Sequence, residues 1–362
     1  MDLDPTETQE LLRDTVREFL RAEVPLDRIR ELERTNQWDE TLWKAVRGQG
    51  WLALPFAEAQ GGGGGTLVDV GFLLEEFARR AAIVPIAEVL ACGVALARSE
   101  PGARSDAFVD ALQGGGVVPV PALLEADDAP GRLSMSLDGG RLTGEKRFVD
   151  YGQFATHHLV GVRDDDGPAL CLVDASLPEV VATPLRTIAR TPQAIVRYEG
   201  AVAERVGGPE AVTALQQLGR AFAAVQCVGS AAQALEQTVA YATVREAFGR
   251  PIGSFQAVKH HAANMFSKVV ASRHLVFEAL FALECGSATR ARVAFAKASA
   301  SRTVPEVTML AHQIHGGNGI IEENDLYFFT LRGKGHSLAW GSVDECLADV
   351  AAEVDAPFAR HG

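Results

Sequence analysis

Apolar residues recur at helical spacing near the start of the chain, where Leu11, Leu12, Val16, Phe19 and Leu20 form one stripe, since positions three and four apart share a helix face. Ahead of them, Asp4-Pro5-Thr6-Glu7 reads as an N-cap, a proline at the first helical position and a glutamate at the third, which predicts where that helix begins. The same periodicity predicts helices around Asp39–Gln49 and Leu67–Arg80, separated by the five-glycine run Gly61–Gly65. Ordering five glycines costs much backbone entropy, so a flexible turn is expected there. A phosphate-cradling loop would need a preceding strand and a Lys-Ser/Thr, and the sequence has neither.

From Val117 to about Val202 the texture changes to short runs, Val117–Leu124, Arg141–Val149, His157–Val162 and Ala169–Val173, broken by Gly, Pro and Asp. These predict strands. Alternation in Arg132-Leu133-Ser134-Met135-Ser136-Leu137, followed by Asp138-Gly139-Gly140, predicts an antiparallel hairpin and hence a small barrel or sandwich that ends near Gly207-Gly208. Helical spacing returns at Pro209, where Val212, Leu215, Leu218, Phe222, Val225, Val228, Leu235 and Val239 mark one long helix, of roughly 50 Å at ~1.5 Å per residue. A second helix is expected from Ser254 to Gly286, a third from about Ala288 that Pro305 kinks or splits, and a fourth over roughly Gly335–Val354. Four long helices with apolar faces make a bundle. The expected fold class is therefore mostly α with a middle β-domain, divided into an N-terminal helical domain (1–115), a β-barrel or sandwich (116–205) and a C-terminal four-helix bundle (206–362).

Composition narrows the function. The 362 residues are 47% hydrophobic and 22% charged, enough for a large core split over two or three domains, and unlike disordered or collagen-like chains. With 34 Lys+Arg against 47 Asp+Glu, the net charge is 34 − 47 = −13; phosphate backbones and anionic lipids are repelled, so neither nucleic acid nor a membrane is an expected partner. No apolar run reaches the roughly 18 residues of a membrane span, and MDLDPTETQE lacks the order of a signal peptide, so a cytoplasmic location is expected. Cys92, Cys171, Cys227, Cys285 and Cys346 never form CxxC and read as reduced, mostly packed thiols. His312 and His315 lack a third ligand, so no metal is expected; His157-His158 and His260-His261 read as packing or surface residues, and Glu322-Glu323-Asn324-Asp325 as a solvated acidic loop.

Two segments carry specific chemistry. One is Arg245-Glu246-Ala247-Phe248-Gly249-Arg250-Pro251-Ile252-Gly253-Ser254-Phe255-Gln256-Ala257-Val258-Lys259-His260, the other Gln313-Ile314-His315-Gly316-Gly317-Asn318-Gly319. Arg245 offers a planar charged fork for phosphate oxygens, Gln256 offers amide donors and an acceptor, and Gly316-Gly317 lets a backbone approach a ligand closely. That set suits a dinucleotide with a pyrophosphate. Both segments resemble signatures of the acyl-CoA dehydrogenase family, and Pro55-Phe56-Ala57-Glu58-Ala59-Gln60-Gly61-Gly62 loosely resembles its turn after the early helices. The resemblance spans essentially the whole chain. It implies FAD as cofactor, an acyl-CoA substrate, a homo- or hetero-tetramer with a second acyl-CoA dehydrogenase subunit, and an electron-transferring flavoprotein as acceptor. It also implies that Arg245, Phe248, Gln256, Gln313, Gly316, Gly317 and Ser342 contact the cofactor, the adenosine-diphosphate half belonging to an FAD held by a neighbouring subunit.

In that family a carboxylate removes the α-proton while the β-hydride passes to flavin N5, and here the sequence departs from the pattern. The Glu-Gly-Thr base motif falls on Trp340-Gly341-Ser342, and the alternative base position, on the first bundle helix, falls on Gly219. Neither position carries a carboxylate. Asp344, Glu345 and Glu236 lie nearby and read as helix-face charges, although the Trp340 N–H remains able to donate to a thioester oxygen. Pro121-Ala122-Leu123-Leu124-Glu125-Ala126-Asp127-Asp128 stands where most members carry a Thr-Glu-Pro-type flavin loop. Gly144-Glu145-Lys146-Arg147-Phe148-Val149-Asp150-Tyr151-Gly152 resembles the strand lining the isoalloxazine, with Phe148 at its aromatic position and Asp150 where threonine is usual. A carboxylate there opposes a ring that gains negative charge. Three readings stand: a subunit lending nucleotide contacts to a partner that carries the base; a homotetrameric dehydrogenase with an unrecognised base; and a non-catalytic member that keeps the fold.

Overall fold

The computed structural model of the protein describes residues 4–99, 103–126 and 133–354; Arg132 of the predicted hairpin and Asp127-Asp128 of the altered loop lie outside the described residues. Helices α1 (Glu7–Glu23), α2 (Leu26–Thr35), α3 (Glu40–Arg47), α4 (Leu67–Arg79), α5 (Ile86–Ser99) and α6 (Ala103–Gln113) come first. Strands β1 (Pro119–Ala122), β2 (Leu137–Asp138), β3 (Arg141–Asp150), β4 (His157–Asp164), β5 (Gly167–Asp174), β6 (Val180–Leu185), β7 (Gln193–Val202) and β8 (Glu204–Gly207) follow. Then come α7 (Pro209–Val244), a hairpin of β9 (Glu246–Ala247) and β10 (Arg250–Pro251), α8 (Gln256–Glu284), α9 (Arg290–His315), α10 (Leu326–Leu338) and α11 (Val343–Val354). The fold is mostly helical with a middle β region, as the sequence predicts.

Two compact units account for the chain. One comprises Met1–Leu26, Gly71–Ala82 and Arg220–Gly362, the other Asp27–Val70 and Ile83–Gly219. In the first, α9 packs against α8, α10 and α11, and its buried face is rich in small residues, Ala291, Ala294, Ala298 and Ala300 among them, which lets neighbours come close. A Cβ on Gly333 of α10 would meet Val304 at 2.3 Å. Pro305 does not split α9, which runs unbroken through it; one lost hydrogen bond is outweighed by the burial of Val304 and Val307 on either side. The expected fourth helix is two, α10 and α11, because Trp340 (φ 61°) and Gly341 (φ 115°) leave the helical region between them. The start of α1 also differs from expectation. Thr6 is its N-cap, accepting from the Gln9 N–H while its own N–H donates to the Gln9 side chain, and of the predicted stripe Val16 and Leu20 are buried whereas Leu11 is 69% exposed.

In the second unit two four-stranded sheets run in the orders β1-β4-β5-β8 and β2-β3-β7-β6, with β1 parallel to β4 and the other pairs antiparallel. The β2–β3 hairpin turns through Gly139 (φ 55°) and Gly140 (φ 75°), the left-handed pair that a tight two-residue turn demands. Pairing of β3 with β7 is interrupted between Lys146 and Val149, a bulge that contains Phe148 at φ 50° and re-aims the strand just before Asp150. The Lys146 ammonium, buried, donates to Glu125 at 2.6 Å, and the same carboxylate accepts from the Ser134 and Met135 N–H groups. The five-glycine run is a packed turn rather than a flexible one. Its N–H groups donate in turn to the carbonyls of Glu58, Ala57, Ala53, Phe56 and Leu54, and a Cβ on Gly62 would lie 2.1 Å from the Phe56 carbonyl oxygen. Only residues without side chains allow that approach.

Candidate cofactor and catalytic positions

The two sequence signatures meet at one end of the bundle unit. The Tyr241 ring, near the end of α7, stacks on His315, the last residue of α9, with centroids 4.3 Å apart and planes 11° from parallel. Arg245 lies one turn beyond Tyr241 and Gly316-Gly317 directly follows His315, so the stack sets both motifs on one end of the bundle. No sequence reasoning singled out this aromatic pair; an aromatic one helical turn before the arginine was the available signal. Arg245 is exposed and makes no ion pair among the described residues. Its carbonyl accepts from Ile252 N–H at 2.7 Å, which folds the β9–β10 hairpin back, and a Cβ on Gly253 would sit 2.9 Å from the Ala242 oxygen. The hairpin tip carries Phe248, 97% exposed at φ 54°, and the Arg250 guanidinium lies 4.2 Å over the Phe255 ring. Gln256 then opens α8, and Gln313 stands near the end of α9; both are exposed.

Gly316 takes φ 58°, and a Cβ on it or on Gly317 would meet nothing within 4 Å. Open space over a glycine backbone beside an unpaired guanidinium fits an anionic dinucleotide tail. His312 shapes the loop, its Nδ1 facing the Gly319 carbonyl at 2.8 Å and its Nε2 the Thr330 hydroxyl at 2.7 Å. Ser342 lies instead in the turn between α10 and α11. Its hydroxyl accepts from the Glu345 N–H while its own N–H donates to the Glu345 carboxylate, a reciprocal helix cap.

At the Trp340 turn a cation stands where a base is sought. Arg220, 8% exposed, donates from Nε to the Trp340 carbonyl at 3.1 Å and from Nη1 to Asp349 at 2.5 Å, and a Cβ on Gly341 would meet its Nη2 at 3.4 Å. The fully buried Lys297 donates to Ser301 and to the carbonyls of His336 and Ser337, at 2.7, 3.0 and 3.0 Å, neutralising the negative end of α10. Of the three nearby acids, Glu345 is the α11 cap, Glu236 pairs with Arg79, and Asp344 is exposed in the first turn of α11. The Trp340 N–H has no partner among the described residues.

In the β unit, Asp150 pairs across the sheet with Gln193, whose side-chain amide donates to its carboxylate at 2.7 Å. Burial pushes Asp150 up to about 6, against the lowering effect of that hydrogen bond. Burial and then the Asp150 charge push Glu88, on α5, up to about 8, and its Oε2 is shut away from solvent with no hydrogen-bond partner. Cys92, one turn along α5, is held well above its usual range by burial and by Glu88. Glu88 escaped sequence reasoning because α5 is apolar nearly all round and a single acid in it carries no motif.

Family models for the acyl-CoA dehydrogenase N-terminal domain and C-terminal domain match residues 6–98 and 207–354. The chain is 29% identical over 368 residues to acyl-CoA dehydrogenase FadE27 of Mycobacterium tuberculosis, covering 98% of this chain and 99% of that protein. Among solved structures it is similar to a variant of the Tcur3481-Tcur3483 steroid ACAD, at 30% identity and TM-score 0.90 over 96% of this chain and 98% of that one. It is also similar to the ChsE4-ChsE5 complex from Mycobacterium tuberculosis, at 27% identity and TM-score 0.91 over 98% and 99%.

Proposed function

The chain belongs to the acyl-CoA dehydrogenase family of oxidoreductases, whose cofactor is FAD, and we propose that within it this chain is the subunit that grips the FAD nucleotide while a partner chain carries the catalytic glutamate. One observation carries the reading: Arg245 and the open Gly316-Gly317 loop share a bundle end, whereas Trp340 and Gly219 lack a carboxylate and Arg220 fills the Trp340 turn. Bound FAD supplies the hydride acceptor for α,β-dehydrogenation of an acyl-CoA thioester. Arg245 binds diphosphate oxygens through its planar fork. Gln256 and Gln313 orient the adenosine-diphosphate half by amide hydrogen bonds, and Gly316-Gly317 lets the Gly317 N–H reach it, the Gly316 N–H being held by the His312 carbonyl. Phe248, exposed at the hairpin tip in a left-handed conformation, covers that half against water. Ser342 serves by fixing the α10–α11 turn below Trp340. The three-part division of the chain at about residues 115 and 205 is part of this reading.

Proton removal from the substrate falls to the partner, because an indole accepts no proton and a buried guanidinium beside that position would hold any carboxylate ionised and weakly basic. Similarity to a steroid ACAD and to the ChsE4-ChsE5 complex supports a bulky, ring-bearing acyl-CoA as substrate and a hetero-oligomer as the working assembly; a tetramer, a cytoplasmic location and an electron-transferring flavoprotein as electron acceptor complete the reading. No helix among the described residues is long and apolar enough to cross a membrane.

The test is purification of the chain alone and coexpressed with an acyl-CoA dehydrogenase homologue that carries the glutamate, reading flavin absorbance and native mass. The expected result is a yellow mixed tetramer from coexpression, and Arg245→Ala lowering its flavin content at least about tenfold, the loss of roughly one charge-assisted phosphate contact. Undiminished flavin in that variant, or a lone chain that forms a yellow homotetramer, contradicts the assignment.

A further inference from the structure

The β unit fits the flavin ring poorly. Asp150 follows the bulge at Phe148 in the segment that resembles the ring-lining strand, and it is held by Gln193 at 2.7 Å. An oxidised isoalloxazine presents an acceptor at N5 and requires a donor opposite; an ionised carboxylate is acceptor-only. Burying the remaining solvent-facing part of Asp150 under a ring would also desolvate its charge further. Glu88 leaves that charge on Asp150. Its Oε2 is a buried orphan, and its proton is the one this pair retains near neutrality. Burial dominates on both acids; Asp150 is the titratable group acting on Glu88, Glu88 in turn raises the Cys92 thiol on α5, and Gln193, which donates to Asp150 from β7, is uncharged.

We infer that the Glu88–Asp150 carboxyl pair excludes the isoalloxazine from this chain's own β unit, so that an FAD gripped by its bundle must carry its ring on the partner. The pair is a device of cofactor placement: it stops copies of this chain from assembling a complete but baseless flavin site. The inference rests on the subunit reading above and adds a reason why mixed pairing is needed for flavin retention.

The lone full-length chain is incubated with FAD, desalted, and its retained flavin absorbance measured at about pH 8 and about pH 5.5, on either side of the usual span of a raised carboxylate pKa. Asp150→Asn keeps the shape and the Gln193 contact but supplies an amide donor. It is expected to retain about tenfold more flavin than the wild type at the higher pH, the effect of one unfavourable charge. The wild type is expected to gain retention at the lower pH, where Asp150 takes up a proton, while Asp150→Asn shows no such pH difference. Asp150→Thr, checked for folding by circular dichroism, is the second variant. A folded Asp150→Asn or Asp150→Thr chain that retains no more flavin than wild type overturns the inference, as does wild-type retention that is equal at the two pH values. Failure is separable from that of the subunit reading: a colourless Asp150→Asn chain beside a yellow coexpressed complex sinks only the placement device, whereas a yellow wild-type chain at the higher pH sinks both.

Discussion

Glu88 is neutral at pH 7 in the folded chain, because burial and the Asp150 charge hold its pKa at about 8 against the usual 4.5. An unfolded Glu88 ionises near 4.5, so between that pH and about 8 the folded form binds the extra proton and stability falls as pH rises. The fall amounts to at most about 1.4 kcal/mol per pH unit and ends once the folded group ionises. Asp150 acts in the same sense over the lower window from 3.8 to about 6. Glu88→Gln is therefore expected to be more stable than wild type at the alkaline end, with the gap closing toward acid, as read from urea midpoints across the range; parallel curves for the two proteins would contradict the burial of this carboxyl. Backbone strain gathers at the same places. Of seven left-handed non-glycine residues among those described, Phe148, Tyr151, Phe248 and Trp340 fall in the signature segments, each costing on the order of 1 kcal/mol or more. The absence of a carboxylate at Trp340 and Gly219 was legible from the sequence alone. That Arg220 occupies the gap was not, since 120 residues separate it from Trp340 and no local pattern joins them.

Helices and strands with a strong period were legible as elements: the stripe of α7 stays buried from Val212 to Leu235, with Val239 alone turned outward, and β1, β3, β4 and β5 lie on the four predicted apolar runs. The others lacked that contrast. α5 is buried on nearly every side, so its residues show no polar face for periodicity to detect, and β6 and β8 are short. β7 does alternate, with Ala194, Val196 and Tyr198 inward, and its pattern was readable though it is not among the expected strands. The glycine run shows the limit of composition. Glycine there serves contact rather than freedom, and Gly62→Ala is expected to destabilise the fold by about 3 kcal/mol, the scale of a backbone clash with no flexible neighbour to yield. Denaturant melting gives the measure; a loss within about 0.5 kcal/mol, typical of an exposed linker, would contradict the packed turn.

At the scale of the whole molecule, the chain combines two properties that a self-sufficient dehydrogenase would not. Its bundle end carries a guanidinium without an ion pair among the described residues and an open glycine loop, which the proposed reading gives to a nucleotide. The two positions that resemble the family's base sites hold an indole and a glycine, and Asp150, at the end of the strand that resembles its ring-lining one, is acted on by Gln193 from β7 and coupled to Glu88 on α5. The order of helical, β and helical parts was legible in the sequence because it depends on local spacing. The surroundings of Asp150 were not legible there, since its partners come from α5 and β7. The most direct test of a retained grip with a lost base is anaerobic addition of a ring-bearing acyl-CoA to the lone chain and to the coexpressed pair, following flavin absorbance. The account predicts bleaching in the pair and none in the lone chain even with FAD in excess; bleaching by the lone chain would show that it carries a working base and contradict the account.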